Sequence, residues 1–224
     1  MPRDSFWNRT RFEGTVKQVE KIVASNITKR FGEKIVLNDF SLAIEKNSVF
    51  CLMGPSGCGK TTLVRIMTGL EKADAGFVSG IDPERISFVF QEDRLISHLS
   101  ALTNAILPLK NTDENKKRGM DALRMLGLQG EEKKRARNLS GGMARRVAIA
   151  RAMLADADIV FMDEPFKGLD SENREKAIDF VKAYAKDKTL IVVTHSAFEA
   201  EKLGGRVFVM PDSQNNFEKM GENE

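Results

Sequence analysis

An α/β fold follows from three features of the sequence. Short apolar runs end at glycines or polar residues, helical periodicity lies between them, and a glycine-rich loop joins one run to the next helix. The 224 residues, with a 42% hydrophobic share, suffice for one such domain with a small inserted subdomain.

The elements are expected in this order. Residues 1–20 form a polar, basic extension without periodicity, in which Phe6, Trp7 and Phe12 stand among Arg3, Arg9 and Arg11. These aromatics read as a strap packed on the body; the alternative is contact with a partner or a membrane surface. Short strands follow at 22–27, 35–40 and 41–44. The run 48–53 is apolar and stops at Gly54, the pattern of a strand buried on both faces. A helix is expected over 61–68, a turn at Asp74-Ala75-Gly76, and an apolar strand over 86–90 that closes at Gln91. The stretch 92–154 reads as mostly helical, interrupted at Pro108, with Thr112 as an N-cap before Asp113 and Glu114. Strand and helix then alternate again. A strand over 158–162 leads to a helix whose apolar face is Ala177, Ile178, Val181 and Tyr184. A strand over 190–193 ends at Thr194-His195, and a last one covers 206–210. Residues 211–224 read as a loose polar tail.

Composition narrows the function classes. The net charge is +3, with acids and bases interspersed and no long basic block, which argues against a nucleic-acid partner. No stretch of about 18 apolar residues exists, and the first twenty residues hold no apolar run of signal-peptide length, so a cytoplasmic location is expected. The two cysteines make no disulfide framework. Cys51 sits in an apolar run and reads as a buried small hydrophobe; Cys58 lies inside the glycine-rich loop.

That loop carries the chemistry. Gly54-Pro55-Ser56-Gly57-Cys58-Gly59-Lys60-Thr61 matches G-x-x-x-x-G-K-[ST] in full, with Thr62 following. Glycines let the backbone fold around an anion so that successive N–H groups point inward, and the helix that follows adds its positive end. Lys60 is placed to reach the β- and γ-phosphates of a nucleotide, and the Thr61 hydroxyl to meet Mg²⁺. A second acidic site should hold the metal. The apolar run 159–162 ends in Asp163 and Glu164. Ligands of open α/β sheets bind at the carboxyl ends of strands, which puts both acids beside the loop. Asp163 is the candidate for Mg²⁺ and Glu164 for orienting and deprotonating an attacking water.

Further elements reduce the choices. Leu139-Ser140-Gly141-Gly142-Met143 precedes a helix bearing Arg145, Arg146 and Arg151, and offers a second anion-binding helix start. Gln91 closes an apolar strand, Gly168-Leu169-Asp170 follows the acidic strand, and His195 closes the next. In this order and spacing the residues resemble the nucleotide-binding subunit of an ABC (ATP-binding cassette) transporter, over roughly 22–210.

The resemblance implies a P-loop NTPase core of the ABC ATPase type with a mixed sheet. It further implies an N-terminal antiparallel β subdomain and a helical subdomain inserted at about 92–155, within an ATPase domain spanning 21–210. It implies that Ser140 and Gly142 contact the γ-phosphate of ATP held by the opposite subunit. Gln91 would link Mg²⁺ and the attacking water to the membrane partner, Asp170 would lie at the dimer interface, and His195 would contact the γ-phosphate. Phe31 falls where the family stacks an aromatic on adenine. Two departures stand out. Met143 replaces the usual glutamine, and Lys167 stands where many relatives carry a small residue, a choice for which the sequence offers no physical account.

The segment from Gln91 to Leu95, with Ser100-Ala101-Leu102-Thr103-Asn104, is similar to ATPases of bacterial importers of nitrate, sulfonates, taurine and thiamine precursors. Such a subunit implies ATP and Mg²⁺, a second copy or related ATPase subunit, separate transmembrane permease subunits, and indirectly an extracytoplasmic solute-binding protein. It would sit on the inner face of the membrane. An exporter or lipoprotein-release ATPase, a soluble ABC-type ATPase, a small-molecule kinase and a nucleotide-binding module without chemistry are the alternatives. The cargo is not legible, because in this family it touches other chains.

Overall fold

The computed structural model describes residues 20–211, so the aromatics Phe6, Trp7 and Phe12 and the tail beyond Pro211 lie outside the described residues. Strands β1 (Lys21–Phe31) and β2 (Lys34–Glu45) pair antiparallel around a turn at Gly32, whose φ of 59° favours glycine. The strands expected at 35–40 and 41–44 are one. No break falls between Phe40 and Ser41; the irregularity lies at Asp39, which takes a positive φ of 49° and accepts at Oδ1 from Asn26 Nδ2 at 2.7 Å, a bulge through which β2 continues.

Strand β4 (Ala75–Ser79) adds to the other edge of β1, giving the order β2-β1-β4. The turn expected at Asp74-Ala75-Gly76 is therefore only a bend at Asp74. Gly76 is needed for another reason: a Cβ there would lie 2.4 Å from the Ser25 and Asn26 carbonyls of the neighbouring strand.

The second sheet is parallel at every pairing. It contains β3 (Val49–Met53), β5 (Ile86–Val89), β6 (Ile159–Asp163), β7 (Thr189–Val193) and β8 (Arg206–Val209) in the order β5-β6-β7-β3-β8. The mixture of strand directions thus lies between the two sheets. All five residues of β6 and of β7 are buried, which explains their unbroken apolar runs. Ile159 and Phe161 face a core shared with α1 (Lys60–Met67) and the antiparallel sheet, whereas Val160 and Met162 face the helices on the other side. Phe161 and Phe50 are at most 2% exposed, and truncating either to alanine should cost about 3–5 kcal/mol.

The stretch expected to be mostly helical over 92–154 is only partly so. Its helices are α2 (Ala101–Ala105), α3 (Asp113–Met125) and α4 (Gly141–Leu154). The irregular lead-in is held by Asn104, which is fully buried. It donates to the carbonyls of Ile96 and Ser100 and accepts from the Ile96 N–H. Pro108 falls beyond the end of α2. Thr112 caps α3 as expected, accepting from the Asn115 N–H. One buried cluster runs from α2 and α3 through α4 to the sheet and α5 (Ser171–Tyr184), with Ala177, Ile178 and Val181 on the inner face of α5. The short α6 (Ala197–Leu203) was not anticipated; Ser196 caps it by accepting from the Glu199 N–H.

Candidate nucleotide site

The carboxyl ends of β3, β6 and β7 lie side by side, and a cleft of about 420 Å³ opens there. Its lining joins Phe31, Ser56, Gly57, Gly59, Lys60, Thr61 and Thr62 to Gln91, Asp163, Glu164 and His195. Residues far apart in sequence thus meet because three parallel strands end at one edge.

The loop after β3 is shaped by its glycines. Gly54, Gly57 and Gly59 all have positive φ, at 140°, 82° and 104°. A Cβ at Gly54 would lie 2.7 Å from the Met210 carbonyl, and one at Gly59 2.9 Å from Leu37. Other residues would therefore strain the loop and crowd its neighbours. Gly59 starts α1, its carbonyl accepting from the Leu63 N–H at 2.8 Å. Lys60 follows, 5% exposed, its ammonium donating to the Gly54 and Pro55 carbonyls. Cys58 is buried beside it, with Lys60 Nζ 3.8 Å from Sγ. Cys51 is buried in β3, as expected, and desolvation pushes its thiol up to about 11.

Thr61 donates its hydroxyl to Asp163 Oδ2 at 2.9 Å. Asp163 is 4% exposed, and burial holds its carboxyl above the usual carboxylate range despite that hydrogen bond. A buried carboxylate paired with a hydroxyl is a hard-oxygen donor set of the kind Mg²⁺ takes. Glu164 follows on a left-handed backbone, φ 47°, with its N–H donated to the Val193 carbonyl. His195 Nε2 lies 2.8 Å from Glu164 Oε1 and Lys167 Nζ 3.2 Å from Oε2.

Gln91 reaches the cleft because its backbone is pinned from behind. Arg145, buried on α4, donates to the Phe90 carbonyl at 2.6 Å and also to the Gln91 carbonyl, and its Nε is 3.0 Å from Asp93 Oδ1. Arg151 donates to the Asp93 and Arg94 carbonyls. Both arginines were visible in sequence, but their partners are mainly backbone carbonyls, which leave no signature there.

Ser140 and Gly142 do not join this cleft. They open α4, where Ser140 accepts from the Met143 N–H. Met143 itself is partly buried against the core. Gly142 is tied to the turn before α5: its carbonyl accepts from Arg146, whose guanidinium also donates to Asn173. Asn173 in turn donates to Asp170, the N-cap of α5. The cleft also includes Lys34, Val36 and Val193, which sequence reading missed and which carry no motif. Glu199 was missed too, although Ser196-Ala197-Phe198-Glu199 is a capping-box pattern.

The family model for ABC transporters matches residues 37–167. The aliphatic sulfonates import ATP-binding protein SsuB 1 of Nocardia farcinica is 39% identical over 188 residues, covering 83% of this chain and 76% of that protein. The Fe(3+) ions import ATP-binding protein FbpC of Photobacterium profundum is 36% identical over 86% of this chain, which spans 59% of that longer protein. Among solved structures, a dimeric post-hydrolysis state of the ATP-binding cassette MJ0796 bound to ADP and Pi superimposes with a TM-score of 0.75. It is 32% identical over 85% of this chain and 94% of that one.

Proposed function

This chain belongs to the ABC transporter family, and on that premise we propose that it binds and hydrolyses ATP to power import of a small anion or small organic solute. The observation that carries the chemistry is the single cleft in which the phosphate loop faces both the Thr61–Asp163 contact and the Glu164–His195 contact. Backbone N–H groups of 54–62 and the Lys60 ammonium hold the phosphates. Phe31, half exposed at the rim, offers a ring face to the adenine. Thr61, Asp163 and Gln91 are the residues that would hold Mg²⁺, which supplies charge neutralisation at the β- and γ-oxygens. Glu164 takes a proton from the attacking water, and His195 contacts the γ-phosphate while fixing one oxygen of Glu164.

Ser140 and Gly142 lie outside the cleft of their own subunit, and we assign them the role in trans that the family resemblance implies. They complete the γ-phosphate side of a second copy, or a related ATPase subunit, and two ATP molecules are sandwiched. Among the described residues no helix is long and apolar enough to cross a membrane, and we assign the pore to separate permease subunits. The chain would sit on the inner face of the membrane and reach an extracytoplasmic solute-binding protein only through them. We keep the division into an ATPase domain over 21–210, with a helical subdomain at about 92–155 that docks the permease. The import assignment and solute class rest on the sulfonate-import relative.

Glu164→Gln tests the reading. The amide keeps the shape of the carboxylate but cannot accept the proton. Hydrolysis should vanish while ATP binding persists, and gel filtration in ATP and Mg²⁺ should show a dimer. Retained hydrolysis would exclude Glu164 as the base, and a monomeric mutant with bound ATP would exclude the sandwich.

A further inference from the structure

Glu164 is held from two sides, by His195 Nε2 at Oε1 and by Lys167 Nζ at Oε2. The turn after β6 builds the second contact. Phe166 is buried to 1% exposure, the Lys167 N–H donates to the Glu164 carbonyl, and the Leu169 N–H donates to the Phe166 carbonyl. With the Phe166 ring anchored in the core, Lys167 stays outside and leads back over Glu164. Each oxygen of the carboxylate therefore faces a nitrogen donor.

A general base must offer a lone pair to water, and an ammonium 3.2 Å from Oε2 occupies the place a water would take at that oxygen. The two partners differ in freedom. The Lys167 side chain is 59% exposed, that of Glu164 only 17%. Lys167 and Glu164 both border a second cavity of about 360 Å³, shared with Ser56, Thr194, His195, Ser196 and Glu199, and this gives the more exposed lysine side chain room to swing off the carboxylate.

We infer that Lys167 is a positioning residue that restrains Glu164, parking its Oε2 until the ammonium swings away and that oxygen can take a proton from water. An ion pair whose ammonium end is exposed is weak enough to open in every turnover, yet can slow the step about two- to fivefold. The inference rests on the reading of Glu164 as the base.

The test is steady-state hydrolysis by the full chain at saturating Mg²⁺, comparing Lys167→Ala and Lys167→Met with Lys167→Arg and wild type. The Ala and Met variants should show kcat raised about two- to fivefold with KM for ATP unchanged, and Lys167→Arg should match wild type. Added salt should raise the wild-type kcat toward that of Lys167→Ala by screening the pair. An unchanged or lower kcat in both the Ala and Met variants overturns the restraint. So does a change in KM of similar size, which would mean that Lys167 touches ATP. Glu164→Gln separates the two levels. If it still hydrolyses ATP, the base assignment fails; if it is inactive and Lys167→Ala is no faster, only the restraint fails.

Discussion

Thr61 and Asp163 stand 102 residues apart in the chain and meet at 2.9 Å, hydroxyl to carboxylate. The contact joins the first turn of α1 to the end of β6 and presents two hard oxygens to the phosphate loop. Thr61→Ala removes one of them and leaves Asp163 buried without its donor. We expect the Mg²⁺ concentration for half-maximal hydrolysis to rise at least about tenfold in Thr61→Ala, with part of the activity recovered at high Mg²⁺. Asp163→Asn should not recover. A Thr61→Ala variant with an unchanged Mg²⁺ requirement would remove Thr61 from the metal site.

Arg145 carries a structural duty that bears on the site. It satisfies the Phe90 and Gln91 carbonyls and lies against Asp93, whose carboxyl burial holds above the usual range. Arg145→Ala would leave these groups unpartnered at a cost of about 2–4 kcal/mol. In a domain of this size that lowers Tm by roughly 5–15 °C. Arg145→Lys should not restore it, because an ammonium cannot reproduce the planar fork that meets two carbonyls and a carboxylate. Thermal denaturation of both variants decides, and equal stability of Arg145→Lys and wild type would refute the fork argument.

What the sequence revealed and what it hid follow one physical division. The phosphate loop was legible because its glycines, lysine and threonine act through local backbone geometry. Asp163 and Glu164 were legible because a strand buried on both faces must be apolar until it emerges. The continuity of β2 past Phe40 was hidden, since the bulge that carries it is held by Asn26 of the neighbouring strand. Gly76 was misread for a related reason: the close approach of another strand, and not a turn, requires it. Lys167 had no account in sequence because its partner is set by the path of one turn around buried Phe166.

Glu199 should make stability depend on pH. Burial raises its carboxyl above the ordinary value, while the hydroxyl of Thr194, which donates to it, opposes that rise. The folded state therefore keeps its proton at pH values where the unfolded chain has lost it. This contribution is fully present below the unfolded pKa and is lost as pH rises through the folded one. Glu199→Gln keeps an acceptor for Thr194 without the charge. We expect its Tm to exceed that of wild type at pH 8 and the gap to close as pH falls toward 4. A gap independent of pH would show that the buried charge is not the cause.

Gly142 offers the cleanest separation of folding from assembly. Unlike Gly54 or Gly59, it has no positive φ, and a Cβ built on it would meet only Leu169 Cδ2 at 3.4 Å and the Gly168 carbonyl at 3.9 Å, both ordinary contacts. The subunit's own fold thus has no need of glycine here, and alanine in a helix is favoured over glycine by up to about 1 kcal/mol. Ser140 is a poorer probe, since replacing it also removes the N-cap of α4. If the opposite subunit's phosphate approaches the start of α4, a methyl at 142 obstructs it. Gly142→Ala placed in Glu164→Gln should therefore keep the Tm and the ATP affinity of the monomer while abolishing the ATP-dependent dimer. A dimer that survives the methyl would mean that the phosphate does not approach Gly142, and that the second ATP site is completed by other residues.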